Sequence, residues 1–382
     1  MNLAHDFLAA LRTPSLMGQF TPRQWDTVIR LARASDLTAR LAVLARQADV
    51  WAHIPEGPRR HLRAAELMCE RQHVELGYEV KEIGLALSSL GGPVVLLKGA
   101  AYVRAGLAAG WGRASSDVDI LVPRELLQDA ESLLLLKGWT SSSKSAYDQR
   151  YYREWMHELP PMTHMKRGTV LDVHHAILPL TARLHPSSAQ LLAAALPFDD
   201  GTGLLHLQPV DMVLHSATHL VHEGEFEQGL RGLVDLDSLL GEWSAQPGFW
   251  AELVARADAL GLARPLFHAL RQVHRHLGTH MPEEVLADVA ALPGARPGRW
   301  ALWWMDAMWA RVLRAHHPML NDRWTGVARE FMYLRGHWLR MPPGLLLRHL
   351  ARKGWLGLTR PDASGEASKD SAADQPGQHT QT

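Results

Sequence analysis

The chain carries one cysteine, Cys69, among its 382 residues. An intrachain disulfide is therefore impossible, and packing and hydrogen bonds must hold the fold, as suits a reducing compartment. Neither sign of charge is in excess: 40 Lys and Arg stand against 40 Asp and Glu. A protein that grips nucleic acid chiefly through phosphates carries a basic surplus, so a polymerase-like role on DNA or RNA is disfavoured. The 22 histidines would add positive charge only below neutral pH. No apolar run approaches the roughly 20 residues that span a bilayer. The opening Met-Asn-Leu-Ala-His-Asp has neither the charged nor the apolar region of a secretory signal. No internal repeat is found. These absences lead to the expectation of a soluble cytoplasmic protein, long enough for two ordinary domains or one domain with a large helical extension.

Helical patterning dominates both ends. Thr21-Pro22-Arg23-Gln24 reads as a capping box with proline at the first helical position, and Trp25, Val28, Ile29 and Leu31 open an apolar stripe behind it. Apolar residues recur at helical spacing from Arg59 to Leu90 and stop at Gly91-Gly92-Pro93, a termination signal. From Val94 to about Leu178 the pattern is mixed. It predicts a strand, a helix near Ala100 to Ala108, a second strand, and a helix from Arg124 to Lys137 closed by Gly138. Extended segments are expected near Tyr151-Tyr152 and from Val170 to Ile177. Beyond Pro179 helices return, with breaks near Pro197, Gly241, Pro265, Pro293 and Pro342-Pro343. Residues 361–382, without a large apolar side chain, read as a disordered tail.

The chemistry concentrates in two stretches. Val94-Val-Leu-Leu-Lys-Gly-Ala-Ala-Tyr-Val103 is an apolar strand running into a Lys-Gly turn and a short helix. Arg113-Ala-Ser-Ser-Asp-Val-Asp-Ile-Leu-Val122 then opens a strand on two acids. Alternate residues of a strand share a face, so Asp117 and Asp119 point one way and Val118 the other. Paired carboxylates repel unless a cation lies between them. Hard oxygen ligands beside a glycine turn that admits phosphate suit Mg²⁺ carrying a nucleoside triphosphate. Asp172, in Thr169-Val-Leu-Asp-Val-His-His175, is either a solvent-facing residue of an edge strand or a third carboxylate of the same site. His174 shares its face, as an orienting residue or a core histidine.

These residues resemble the nucleotidyltransferase superfamily that includes DNA polymerase beta, kanamycin nucleotidyltransferase and the minimal nucleotidyltransferases. Its pattern is a strand ending in Gly-Ser or Gly-Gly, a helix, Asp-x-Asp on the next strand and a third carboxylate later. Lys98-Gly99-Ala100 takes the turn position, and Ser116-Asp117-Val118-Asp119-Ile120-Leu121 takes the acidic one. More narrowly the chain is similar to the bacterial uncharacterised nucleotidyltransferases. They carry Leu-Lys-Gly, Arg-x-x-x-Asp-x-Asp and Val-Asp-x-His, then His-x-x-x-His and Arg-x-x-x-Asp-Leu. Here these are Leu97 to Gly99, Arg113 to Asp119, Leu171 to His174, His215 to His219, and Arg231 to Leu236.

The resemblance implies an α+β fold: a small mixed β-sheet nucleotidyltransferase core at residues 92–180, flanked by helical regions at 1–91 and 181–360. It also implies transfer of a nucleoside monophosphate from a triphosphate to a hydroxyl, with pyrophosphate leaving. Asp117, Asp119 and Asp172 would be the catalytic residues and the ligands of one or two Mg²⁺ ions. Lys98, Gly99, Ala100, Arg113 and Ser116 would meet the nucleotide. The acceptor is unidentified: a small molecule, a sugar or a protein. Ala100 supplies no hydroxyl where the superfamily usually has Ser or Gly, and the stretch from Gly99 to Asp117 is long. A binding or scaffold protein that kept the fold without turnover is the alternative.

Other residues keep two readings. Arg113 either neutralises phosphate or pairs with an acid in the resting state. His215 and His219 lie one helical turn apart, with His222 near the same face. Together with Arg231 and Asp235 they form either a polar wall beside the site or packing between helices. A zinc site is disfavoured without a third ligand of suitable spacing. His157, Glu158 and His164 are candidates for a substrate loop. Arg329 to Lys353 carries six Lys or Arg and one acid, read as a basic solvated face or a membrane-surface helix.

Overall fold

The computed structural model describes residues 3–141 and 156–344. The extended segment expected near Tyr151-Tyr152, the tail at 361–382 and the basic stretch beyond residue 344 lie outside the described residues. The N-terminal third is helical: α1 (Leu3–Arg12), α2 (Pro22–Arg33), α3 (Thr38–Gln47) and α4 (Glu56–Leu87). The Thr21 hydroxyl accepts from Gln24 N, and the Gln24 side chain accepts from Thr21 N, so the expected capping box forms. Trp25, Val28, Ile29 and Leu31 turn inward behind it. In α4 the buried Leu76, Val80, Ile83 and Leu87 recur at the three- and four-residue spacing of one helical face.

The middle of the chain supplies β1 (Val95–Leu97), α5 (Lys98–Arg104), β2 (Asp117–Leu121), α6 (Leu127–Leu136), β3 (Trp139–Ser141), β4 (Met162–His164) and β5 (Val170–His174). A short α7 (Ser188–Ala193) leads to β6 (Leu196–Pro197) and β7 (Leu205–His206). Among the described residues these strands form one mixed sheet of seven, in the order β3-β4-β5-β2-β1-β7-β6. Then follow α8 (Pro209–His222), α9 (Gly229–Trp243), α10 (Phe249–Ala259), α11 (Ala263–Leu277), α12 (Glu283–Ala291), α13 (Arg299–Val312) and α14 (Thr325–Arg340). The architecture is α+β, with helices on both sides in sequence of a mixed sheet. No helix among the described residues is long and apolar enough to cross a membrane.

Two registers matter. β1 runs antiparallel to β2 with Leu97 opposite Asp119. β2 runs parallel to β5 with Asp119 opposite Asp172 and Leu121 opposite His174. Val118, Ile120, Leu171 and Val173 are fully buried on the other face, so apolar packing specifies the register and carries the acids with it. The short strands β3, β4, β6 and β7 were not expected from the sequence. Pro197, expected as a break, lies in β6 at the sheet edge, where its missing N–H removes no ladder bond.

The turn before β2 presses on α3. Gly112 has φ +64°, and a Cβ there would lie 2.7 Å from the backbone of Ala39 and Arg40. Gly77, in the middle of α4, faces open space. The same substitution should therefore act oppositely at the two sites. Gly77→Ala is expected to stabilise by up to about 1 kcal/mol, and Gly112→Ala to destabilise by about 1–3 kcal/mol. Urea denaturation of both variants tests this, and a shift of the same sign would contradict the packing described.

Candidate active site

Asp119 is the centre of a buried charge network. It is 4 % exposed, and its Oδ1 accepts from Lys98 Nζ at 2.7 Å and from His174 Nε2 at 2.9 Å. The other ring nitrogen of His174, Nδ1, lies 3.0 Å from Glu158 Oε2. The chain of charge thus alternates Lys98, Asp119, His174, Glu158. Burial works against ionisation of Asp119, but Lys98 and then His174 overcome it and hold the carboxyl far below the usual range. Burial likewise opposes a charged His174, yet its bonds to Asp119 and Glu158 raise it to about 9. Glu158, despite burial, is drawn down to about 2 by His174. With a proton on each nitrogen, His174 is an imidazolium held between two carboxylates.

Local structure explains how these groups meet. Lys98 has φ +47°, an uncommon conformation for a residue with a Cβ, at the point where β1 turns into α5. Gly99 follows with no side chain because the Arg113 guanidinium and the Ser115 hydroxyl occupy that space: a Cβ would collide with both. The positive φ of this turn thus falls on Lys98 and not on Gly99. Glu158 reaches His174 through an isolated antiparallel bridge, and the His157 ring stacks on His174 with centroids 5.2 Å apart. Burial keeps His157 neutral, lowering it to about 3.

Asp172 stands apart from the network although it faces Asp119 across the sheet. Its Oδ1 is buried without a hydrogen-bond partner. Burial and then repulsion from Asp119 push its carboxyl up to about 7. Asp117, two residues before Asp119 on the same strand face, is exposed. All three acids therefore occupy one face of β2 and β5, where neighbouring strands run about 4.8 Å apart. The unpartnered Asp172 oxygen, on the strand next to Asp119, is a donor a divalent cation would take, and the cation's charge would relieve the repulsion that raises Asp172. Among the described residues, the side chains whose ligand-type atoms lie within 4.8 Å of one another are His157, Glu158 and His174 rather than the three acids, but both His174 nitrogens are engaged by carboxylates.

A cavity of about 340 Å³ opens beside this face, between the strand ends and α8 and α9, a size typical of small-molecule sites. Lys98, Gly99, Arg113, Asp117 and Asp119 line one wall, and His215, His219, Arg231 and Asp235 the other. Arg113 Nε donates to Asp235 Oδ2 at 2.9 Å, and its carbonyl oxygen lies 2.8 Å from His73 Nε2. Arg113 thus pairs with an acid of α9 rather than with either acid of β2. His215 is buried and held neutral by burial and by the Lys98 charge. His222 instead bonds the Thr218 carbonyl within its own helix.

Asp172, Ala100 and Ser116 are not among the lining residues. Ala100 packs into the core, and Ser116 is exposed. His164 does not join the site. Its Nδ1 accepts from Lys166 N and Arg167 N, and its Nε2 lies 3.1 Å from the Lys137 carbonyl, so it secures the turn after β4. His157 and Glu158, candidates for a substrate loop in the sequence, instead join the network around His174; the pairing of residue 158 with β5 carries no periodic signal.

A family model described as Uncharacterised nucleotidyltransferase matches residues 21–278, more than half of the chain. The chain belongs to that family. Comparison with curated proteins and with solved structures gave no match. The matched span contains the sheet, the three acids, the cavity walls and the three histidines of α8.

The ionisation of Asp172 predicts a pH effect on this nucleotidyltransferase-family chain without divalent cations. Its folded value, about 7, lies above the ordinary 3.8. Between these values the folded chain holds a proton that the unfolded chain has lost. Stability should then fall as pH rises from about 4 to about 7, by up to a few kcal/mol. Asp172→Asn removes this ionisation, so the variant is expected to gain on wild type as pH rises. Parallel stability curves for the two proteins would rule out the assigned environment.

Proposed function

We propose that the protein is a Mg²⁺-dependent nucleotidyltransferase that moves a nucleoside monophosphate from a triphosphate to a hydroxyl acceptor. The observation that carries this reading is Asp119 opposite Asp172 on adjacent strands, with Asp117 on the same face at a cavity wall. Three acids in that arrangement would hold one or two divalent cations. When bound, such ions neutralise phosphate charge and favour in-line attack of a hydroxyl on the α-phosphorus. Asp117 and Asp119 would bind through their carboxylates from β2, and Asp172 through the oxygen that has no protein partner. Asp172, as a carboxylate of the same face, would also accept the proton of the attacking hydroxyl. Lys98 and Arg113 line the cavity with the positive charge that a triphosphate needs, and Gly99, having no side chain, leaves room for the Arg113 guanidinium at that wall. The cavity wall formed by α8 and α9 would seat the acceptor.

A second reading has its own observation. Asp119 is already neutralised by Lys98 and His174, and Arg113 by Asp235, so the chain satisfies these charges without a ligand. That favours a nucleotide-binding or scaffold protein of this fold with little turnover.

Calorimetry with ATP, CTP, GTP and UTP in the presence of Mg²⁺, followed by a pyrophosphate-release assay with a small-molecule extract as acceptor source, separates the readings. Binding with release is expected, and Asp172→Asn should lower release by about 10²–10⁴-fold. Asp117→Asn, at an exposed position, should abolish Mg²⁺-dependent triphosphate binding while the fold is kept. Full affinity in that variant defeats the metal role, and binding without release in the wild type selects the scaffold.

A further inference from the structure

The outer face of α13 presents tryptophans to solvent. Trp300, Trp303 and Trp304 are 86 %, 64 % and 42 % exposed. A packed tryptophan removes some 150–250 Å² from water, so three left open within two helical turns form an apolar surface that a lone soluble chain has reason to avoid. Rings touch along the surface: Trp303 and Trp304 have centroids 6.4 Å apart, and Trp304 meets Phe331 of α14 edge-on at 6.2 Å. Ala301, between the tryptophans, is also exposed.

Directly beside Trp303 lies a cavity of about 440 Å³ whose wall includes Arg271, Arg275, Arg296 and Arg299. Asp306 is its single acid, and it is taken by Arg271 at 2.6 Å and Arg275 at 3.2 Å. Four guanidinium groups against one carboxylate leave a strong positive surplus in a chain whose overall charge is zero. Guanidinium forks match the oxygens of a phosphate. Tryptophan favours the boundary between hydrocarbon and water, where lipid phosphates also lie. A helix with an aromatic outer face and arginines at its flank has the layout of one lying on a bilayer. A single-stranded nucleic acid would instead favour basic and aromatic residues interleaved along a track, whereas here the arginines gather on one side. The arginine cavity shares no lining residue with the cavity beside the three acids, so this surface is separate from the candidate active site.

From this juxtaposition we infer that α13 docks the protein on a membrane surface bearing anionic phospholipid, with the tryptophans in the headgroup layer and a lipid phosphate in the arginine cavity. The full-length protein is tested by flotation with vesicles of equimolar phosphatidylcholine and phosphatidylglycerol, with pure phosphatidylcholine as control. Flotation with the anionic vesicles alone, released by high salt, is expected. Arg296→Glu with Arg299→Glu should weaken it by roughly tenfold or more, and Trp300→Ala with Trp303→Ala should likewise weaken it by roughly tenfold. All four positions are exposed, and circular dichroism checks that both variants fold. The inference is overturned by absence of flotation with anionic vesicles, by equal flotation with the control, or by unchanged binding in folded variants. A single-stranded oligonucleotide, bound in place of vesicles and lost in the arginine variant, would also overturn it and assign the surface to nucleic acid.

Discussion

Asp119 draws together four segments that are distant in sequence. Lys98 comes from the end of β1, His174 from the end of β5 and Glu158 from the bridge beside it. Each is a charge with little access to water, and an isolated buried charge costs several kcal/mol. Alternation of sign offsets that cost only if all four groups stay in place. The order of the central strands and the electrostatics of the candidate site are therefore one constraint. Slipping β5 by a residue would turn Asp172 and His174 into the apolar layer and expose Val173 and Leu171.

Asp172 is the member this arrangement leaves out. It has the register of a partner to Asp119 but none of the cations, and its buried oxygen has no donor. Groups placed at the expense of stability are characteristic of functional sites. The strained turn at Lys98 has the same character, because a non-glycine residue at positive φ persists only where its surroundings insist. A second lock, Arg113 to Asp235, ties the turn before β2 to α9 and so sets the width of the cavity. Gly99 is required by that lock, since the guanidinium fills the space a side chain would need.

Much of the helical framework was legible because capping and periodicity are local signals. The Thr21–Gln24 box, the stripe of α2, the long α4 ending near Gly91 and the helix closed by Gly138 all follow from residues within a few positions of one another. The Asp-x-Asp strand and the strand of Asp172 were legible for a related reason: an acid set in an apolar run of β-branched residues breaks the pattern visibly. The short strands β3, β4, β6 and β7 were not, because two or three residues cannot establish a period. Their existence depends on neighbours supplied from elsewhere in the chain.

The amino-acid order alone determined the class of fold, the family resemblance and the candidacy of three acids, since these rest on residue type and spacing along the chain. Tertiary structure decided which charges meet. It set Lys98 and His174 on Asp119, gave Arg113 to Asp235, buried Ala100 in the core and kept His164 at the end of β4, away from the site. The reason is physical: pairing of a buried charge is settled by distances between segments far apart in sequence, and no local pattern encodes a distance of 3 Å across a sheet.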